Sequence, residues 1–132
     1  MVPKLQDLRR GEKAQTLFYR HLAAEAEEEG EAELVERLNG LHADEQHHFS
    51  RLTARLMELG EPTGDLSLEP GAGVGLDGWE EVAREREHDE IKRYERALEA
   101  VGEDDVTRAI LEEILASERQ HFDHLGGKWM PA

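Results

Sequence analysis

The chain of 132 residues has no cysteine. That excludes disulfides, thiolate metal sites, an iron–sulfur centre and a cysteine nucleophile. Aromatic residues make up only 5 %, and β-branched residues are sparse, which favours helices over sheet. Basic residues are also short: 16 Lys and Arg face 31 Asp and Glu, for a net charge of −15. A chain this acidic repels phosphate backbones and anionic lipid, so neither nucleic acid nor a membrane is an expected partner, and cations are natural guests. No apolar run approaches the roughly 20 residues that span a bilayer, and no stretch reads as a signal peptide. The expectation is a soluble cytoplasmic protein, one domain over residues 1–132, long enough to bury a sizeable core.

What the sequence does hold is helical pattern. The first helical segment runs from about Lys4 to Glu29 and stops at Gly30. The second runs from about Glu31 to Leu59 and ends at Gly60-Glu61-Pro62, a strong stop signal. Asp77-Gly78-Trp79-Glu80 reads as a capping box that starts the third, which ends near Gly102. The fourth starts at Asp104 or Asp105 and stops at Gly126-Gly127, leaving residues 126–132 as a short tail. The joins after the first and third helices are very short, so each pair forms an antiparallel hairpin.

Residues of about 60–78 link the hairpins and include Gly73-Val74-Gly75-Leu76-Asp77-Gly78, a match to Gly-x-Gly-x-x-Gly. As a dinucleotide loop that motif needs a strand before it in a βαβ unit, and none can be built here, so a linker is the better reading. Its roughly 17 residues reach about 55 Å when extended. That is enough to run back along a bundle about 30–35 Å long, at 1.5 Å per helical residue. The expected fold is all-α: a four-helix bundle, up-down-down-up, with one long crossover as in ferritin-like folds.

Tracing each apolar stripe in steps of three and four gives the inward faces. The first helix contributes Leu5, Leu8, Glu12, Gln15, Tyr19, Leu22 and Ala26. The second contributes Leu34, Leu38, Leu41, Glu45, His48, Leu52, Arg55 and Leu59. The third gives Ala83, Glu87, Glu90, Tyr94, Ala97 and Val101, and the fourth Leu111, Ile114, Glu118, His121 and Leu125. Every stripe is broken by polar groups near mid-length. Glu45–His48 and Glu118–His121 are Glu-x-x-His pairs, and residues three apart share a helix face. Heights agree: Glu12 stands 18 residues before Gly30 and Glu45 15 after it, while Glu87 stands 15 before Gly102 and Glu118 16 after it. The halves repeat, Glu12, Gln15 and Tyr19 returning 75 residues on as Glu87, Glu90 and Tyr94, and Glu45 and His48 returning 73 on as Glu118 and His121.

Four carboxylates buried together as bare charges would each cost on the order of tens of kcal/mol before compensation. Protons or cations must neutralise them. Two divalent ions balance four carboxylates, and two neutral imidazoles complete the donor set of di-iron and di-manganese carboxylate bundles. Oxygen and imidazole donors suit iron or manganese, a mixed pair included, and zinc also fits.

Glu12 through Ala23, followed by Asp44-Glu45-Gln46-His47-His48, resembles the first hairpin of the rubrerythrin branch of the ferritin-like superfamily. Glu87 through Tyr94 and Ser117-Glu118-Arg119-Gln120-His121 resemble the second. The resemblance implies that Glu45 and Glu118 bridge two iron ions, Glu12 and Glu87 are terminal ligands, and His48 and His121 each cap one metal. It implies that Glu90 is an extra ligand that exchanges with a histidine as the iron changes oxidation state. Tyr19 and Tyr94 match inward tyrosines near the cluster and are the candidates for a catalytic part. The implied activity is reduction of H2O2 or O2. Rubrerythrins proper carry a Cys-rich rubredoxin domain, so electrons here are expected from an external donor protein or from Fe(II) itself. A ferroxidase for iron storage or detoxification, with Fe(II) as substrate, is the alternative; a non-catalytic metal-binding bundle is the third. A homodimer or higher homo-oligomer is expected.

The remaining polar residues have plainer readings. Gln15 reads as a packing group or a support to the ligands, and Asp44 is placed to orient a histidine. His21, His42, His47, His88 and His124 fall off the stripes, and Glu25 to Glu29 form a solvated face. Trp79 and Trp129 are the candidates for a subunit contact.

Overall fold

A computed structural model describes residues 1–66 and 75–125. Four helices follow one another: α1 (Val2–Glu28), α2 (Ala32–Glu58), α3 (Trp79–Ala100) and α4 (Asp105–His124). Among the described residues there is no strand, and no helix is long and apolar enough to cross a membrane. The tail with Trp129, and residues 67–74 of the linker with the first glycine of the Gly-x-Gly-x-x-Gly run, lie outside the described residues.

Local chemistry sets the ends. Gly30 takes φ 73° just past α1, a left-handed conformation that costs glycine little. Its N–H bonds Glu27 O at 3.1 Å, and the next N–H, of Glu31, reaches back to Ala26 O at 3.0 Å. This Schellman pattern closes the helix and turns the chain at once. α4 begins on Asp104, whose carboxylate accepts from the Thr107 N–H at 3.0 Å and from the Thr107 hydroxyl at 2.6 Å. The start of α3 differs from the expected capping box. Gly78, at φ 72°, is the N-cap residue and no side chain caps the helix. Glu80 instead pairs with Arg37 of α2 at 3.0 Å, because a cation across the bundle competes with the helix's own N–H groups.

α1 packs on α2 and on α3, and α4 packs on α3 and on α2. Directions follow from the cross-links. Tyr19 bonds Glu87 while Tyr94 bonds Glu12, so α3 runs antiparallel to α1. Arg55 near the end of α2 binds Asp104 at the start of α4, while Arg37 near the start of α2 binds the His124 carbonyl at the end of α4. The bundle is therefore up-down-down-up, with the chain crossing its length between α2 and α3.

The stripes of α1, α3 and α4 are buried as read from the sequence. α2 drifts: Leu56 is buried, Leu59 is exposed, and Leu34 and Leu41 are half-buried. Arg55 lies on the predicted stripe and spends its charge on Asp104, at 3.0 and 3.1 Å, and on the Thr107 hydroxyl at 2.9 Å. Trp79 packs inside the core beneath the Arg37 guanidinium, 5.1 Å from its ring centre, so it is not a subunit-contact residue on the surface. The core comes in two parts. One cluster gathers Leu5, Leu8, Leu52, Leu56, Leu111 and Ile114 toward one end of the bundle. The other gathers Phe18, Leu22, Ala26, Leu38, Trp79 and Leu125 toward the other end. Between them lies a polar layer.

Candidate metal centre

The polar layer forms because each helix presents its acid at mid-height. Glu12, Glu45, Glu87 and Glu118 are all 0 % exposed. His48 and His121 are buried beside them, one helical turn on from Glu45 and Glu118. Two groups of donors converge: Glu12, Glu45, His48 and Glu118 in one, and Glu45, Glu87, Glu118 and His121 in the other. In each, one atom from every residue lies within 4.8 Å of the others, so each group could hold a metal ion. Glu45 and Glu118 belong to both.

The imidazoles face the layer through Nδ1. His48 Nδ1 lies 2.8 Å from Glu118 Oε1, 3.3 Å from Glu45 Oε1 and 3.6 Å from Glu12 Oε2. His121 Nδ1 lies 3.5 Å from both Glu45 Oε1 and Glu87 Oε1. The rings are 6.3 Å apart between centres. None of these contacts has the alignment of a hydrogen bond. Both Nδ1 atoms remain unpartnered, as do both oxygens of Glu45 and of Glu118, Glu12 Oε2 and Glu87 Oε2. Buried polar atoms are nearly always satisfied. So many unpartnered donor atoms aimed at one small volume are what a cation site requires. With donor–metal bonds of about 2.0–2.2 Å, two donors on one ion lie at most about 4.4 Å apart, which these separations suit.

Hydrogen bonds from outside the layer fix the remaining atoms. The Tyr19 hydroxyl donates to Glu87 Oε1 at 2.7 Å, and the Tyr94 hydroxyl donates to Glu12 Oε1 at 2.6 Å. Each tyrosine thus holds a carboxylate of the opposite hairpin. Burial first, then the neighbouring glutamates, push both phenols well above the usual tyrosine range, so they stay neutral donors. Gln15 Nε2 donates to Glu87 Oε1 at 3.4 Å, and its carbonyl accepts from Arg86 Nε at 2.6 Å. His121 Nε2 meets Asp44 Oδ2 at 2.9 Å. In the neutral ring, with that N–H donating, Nδ1 would be a lone pair facing the donor group, the arrangement that orients a metal-binding histidine.

Without a cation, protons must do the neutralising. Burial, then repulsion from Glu12 and Glu87, raises Glu45 well above the carboxylate range. Burial, then Glu45 and Glu12, does the same to Glu118. Glu87 moves the other way: burial opposes its charge, but the close approach of Glu118 and His121 and the hydrogen bond from Tyr19 outweigh it and lower the pKa. Burial alone would lower His48, yet Glu118 and Glu12 hold it up to about 10. His121 is likewise held up to about 9 against burial, chiefly by Asp44 and Glu87. The layer keeps imidazolium and carboxylic acid side by side, and these are the protons a divalent ion would displace.

Glu90 is buried one turn from Glu87 but stands outside both donor groups. Its Oε1 accepts from Arg93 Nη1 at 2.8 Å, while Oε2 has no partner. Burial first, then Glu12, raises it to about 8. Of the histidines off the stripes, His21, His47, His88 and His124 are exposed or half-buried, and His42 is half-buried. Sequence reasoning missed Arg86 and Arg93. Both look like surface charge on an acidic helix, and only a partner 71 residues away in the chain gives Arg86 its role.

No protein-family model matches the chain, and no curated protein matches it either.

Proposed function

We propose that the chain is a di-iron carboxylate oxidoreductase that reduces hydrogen peroxide or dioxygen. The observation that carries this reading is the pair of buried donor groups sharing Glu45 and Glu118, with their orphaned atoms all turned inward. Two ions held there would share Glu45 and Glu118, and such a pair would supply the chemistry of a two-electron reaction. Iron over other metals is supported by the likeness of both hairpins to rubrerythrins. When bound, such a pair supplies one electron from each metal to an O–O bond.

The protein's part is binding, positioning and exclusion of water. Glu12 and His48 would hold one ion, Glu87 and His121 the other, and Glu45 and Glu118 both. Tyr19 and Tyr94 fix the outer carboxylates from across the bundle, and Asp44 fixes His121. The apolar clusters at either end keep bulk water from the layer, which strengthens every charge interaction inside it. Reduction of H2O2 to two waters consumes two electrons and two protons. Electrons for repeated turnover would come from an external donor protein or from Fe(II) itself.

The test is anaerobic loading with Fe(II), then stopped-flow mixing with H2O2 and, separately, O2. Oxidation much faster than that of free Fe(II), with two irons consumed per H2O2, is expected. Oxidation no faster than free Fe(II) would sink the reading. The charge of −15 favours Fe(II) transit, which supports a ferroxidase as the second reading. In that case mineral forms and native mass reveals a large shell, whereas a dimer goes with the oxidoreductase.

A further inference from the structure

A cavity of about 250 Å³ opens between α1 and α3. Gly11, Ala14 and Gln15 line it from one helix, and Arg86, Glu90 and Arg93 from the other. Its inner wall is the outer edge of the donor layer. Gln15 is hydrogen-bonded to Glu87. Glu90 feels the charge of Glu12 and of Glu87, and is 4 % exposed with Oε2 unpartnered. These two polar side chains separate the cavity from the donors.

We propose that this cavity is the port by which a small uncharged or singly anionic solute, of hydrogen peroxide's size, reaches the donor cluster, with Gly11 and Ala14 setting its width. The proposal rests on the reading of that cluster as a metal centre. Three observations carry it. First, the wall is tight at Gly11: an added Cβ would lie 2.8 Å from Glu90 Oε1 and 3.1 Å from Arg93 Nη1. A methyl there must displace the Glu90 carboxylate from its place beside Arg93. Second, the lining offers both hydrogen-bonding senses. Among the described residues Arg86 donates only through Nε, and Arg93 only through Nη1; each guanidinium carries five N–H donors, so several remain for a solute. Glu90 Oε2 inside and Asp89 at the exposed rim accept. Peroxide both donates and accepts, and suits such walls. Third, the guanidiniums of Arg86 and Arg93 offset the carboxylates of Asp89 and Glu90 in the lining, so it favours an uncharged or singly anionic solute over a divalent cation.

The test uses the whole chain loaded with Co(II), and azide as a three-atom probe that shifts the visible Co(II) bands. Gly11→Ala and Ala14→Leu are each expected to slow azide association tenfold or more. Neither should change the amount of Co(II) bound or its rate of uptake. Gly40→Ala is the control, since its added Cβ meets nothing within 4 Å, and it should match the parent in both rates. Ala14→Leu decides the matter if Gly11→Ala folds poorly, because Ala14 is only half-buried at the cavity wall and a larger side chain there does not enter the core. Azide binding at the parent rate in the narrowed variants overturns the port, as does a Co(II) uptake slowed as much as azide. A parent chain that takes up no Co(II) overturns the metal-centre reading and the port with it.

Discussion

The Tyr94 hydroxyl donates to Glu12 Oε1 across 2.6 Å, joining α3 to α1 at the level of the donors. Both residues are 0 % exposed, so no water replaces the bond when it is lost. Tyr94→Phe is expected to cost about 1–3 kcal/mol of stability in the metal-free protein, the penalty for a buried acceptor without its partner. Urea unfolding measures it. Metal affinity should fall as well, because Glu12 loses the contact that aims it. An unchanged unfolding midpoint would show that the bond contributes nothing.

Asp44 gives a test that separates the two donor groups. It bonds His121 and not His48, and in the repeat its place is taken by Ser117. Asp44→Asn should weaken the ion held with His121 by about 10–100-fold, the usual effect of losing such a support. The other ion should be little changed. Calorimetric titration with Co(II) would then resolve two steps. A uniform loss at both would argue against an orienting role.

The protonated layer makes the metal-free protein sensitive to alkali. His48 and His121 have folded-state pKa values raised to about 10 and about 9 from 6.5. Their contribution to stability is fully present below pH 6.5 and is lost as pH rises through about 9 to 10. A tenfold gain in proton affinity on folding is worth about 1.4 kcal/mol, so the loss should appear as a melting temperature several degrees lower at pH 10 than at pH 7. Loaded with Co(II), the same imidazoles are ligands and carry no proton, and the alkaline loss should shrink. Metal uptake should also release protons, read as a dependence of the binding heat on buffer.

Carboxylates that bind metal should burden the empty protein. Glu118→Gln mimics the protonated acid that burial and three neighbouring glutamates favour. Glu118 is shared by both donor groups. The substitution should therefore leave the metal-free melting temperature equal or higher at pH 7, and cut Co(II) affinity by about a hundredfold or more, the scale of losing a ligand rather than its support. Metal analysis and thermal unfolding give both readouts. Lower stability together with intact binding would reverse the assignment.

Much of the fold and site was legible in the sequence, and the reasons differ by residue. The α1 stripe from Leu5 to Ala26 is buried throughout, because apolar spacing alone fixes which face turns inward. α2 has 27 residues, and over that length alternating steps of three and four drift from the true period, so Leu56 takes the place expected of Leu59. The orphaned acids were readable because they interrupt that spacing at matching heights. The supports were readable only in part: Asp44 reads as an orienter of a histidine and Gln15 as a support, but which residue each one holds does not show in the sequence. Asp44 and His121 are 77 residues apart, and nothing local in either names the other. Trp79 reads from the sequence as a candidate for a subunit contact, yet it fills the core under Arg37. Arg86 and Arg93 were invisible for a simpler reason: arginine on an acidic helix is the ordinary surface pattern, and only the packing of α1 against α3 sets them around a cavity.

Each donor group takes three residues from one hairpin and one from the other: Glu12, Glu45 and His48 with Glu118, then Glu87, Glu118 and His121 with Glu45. Neither hairpin alone completes a site. In that geometry an ion would be a clasp between half-molecules. Cut within the linker, the two halves should still find each other when metal is supplied and drift apart when it is chelated, so that the chain reports its own occupancy as cohesion.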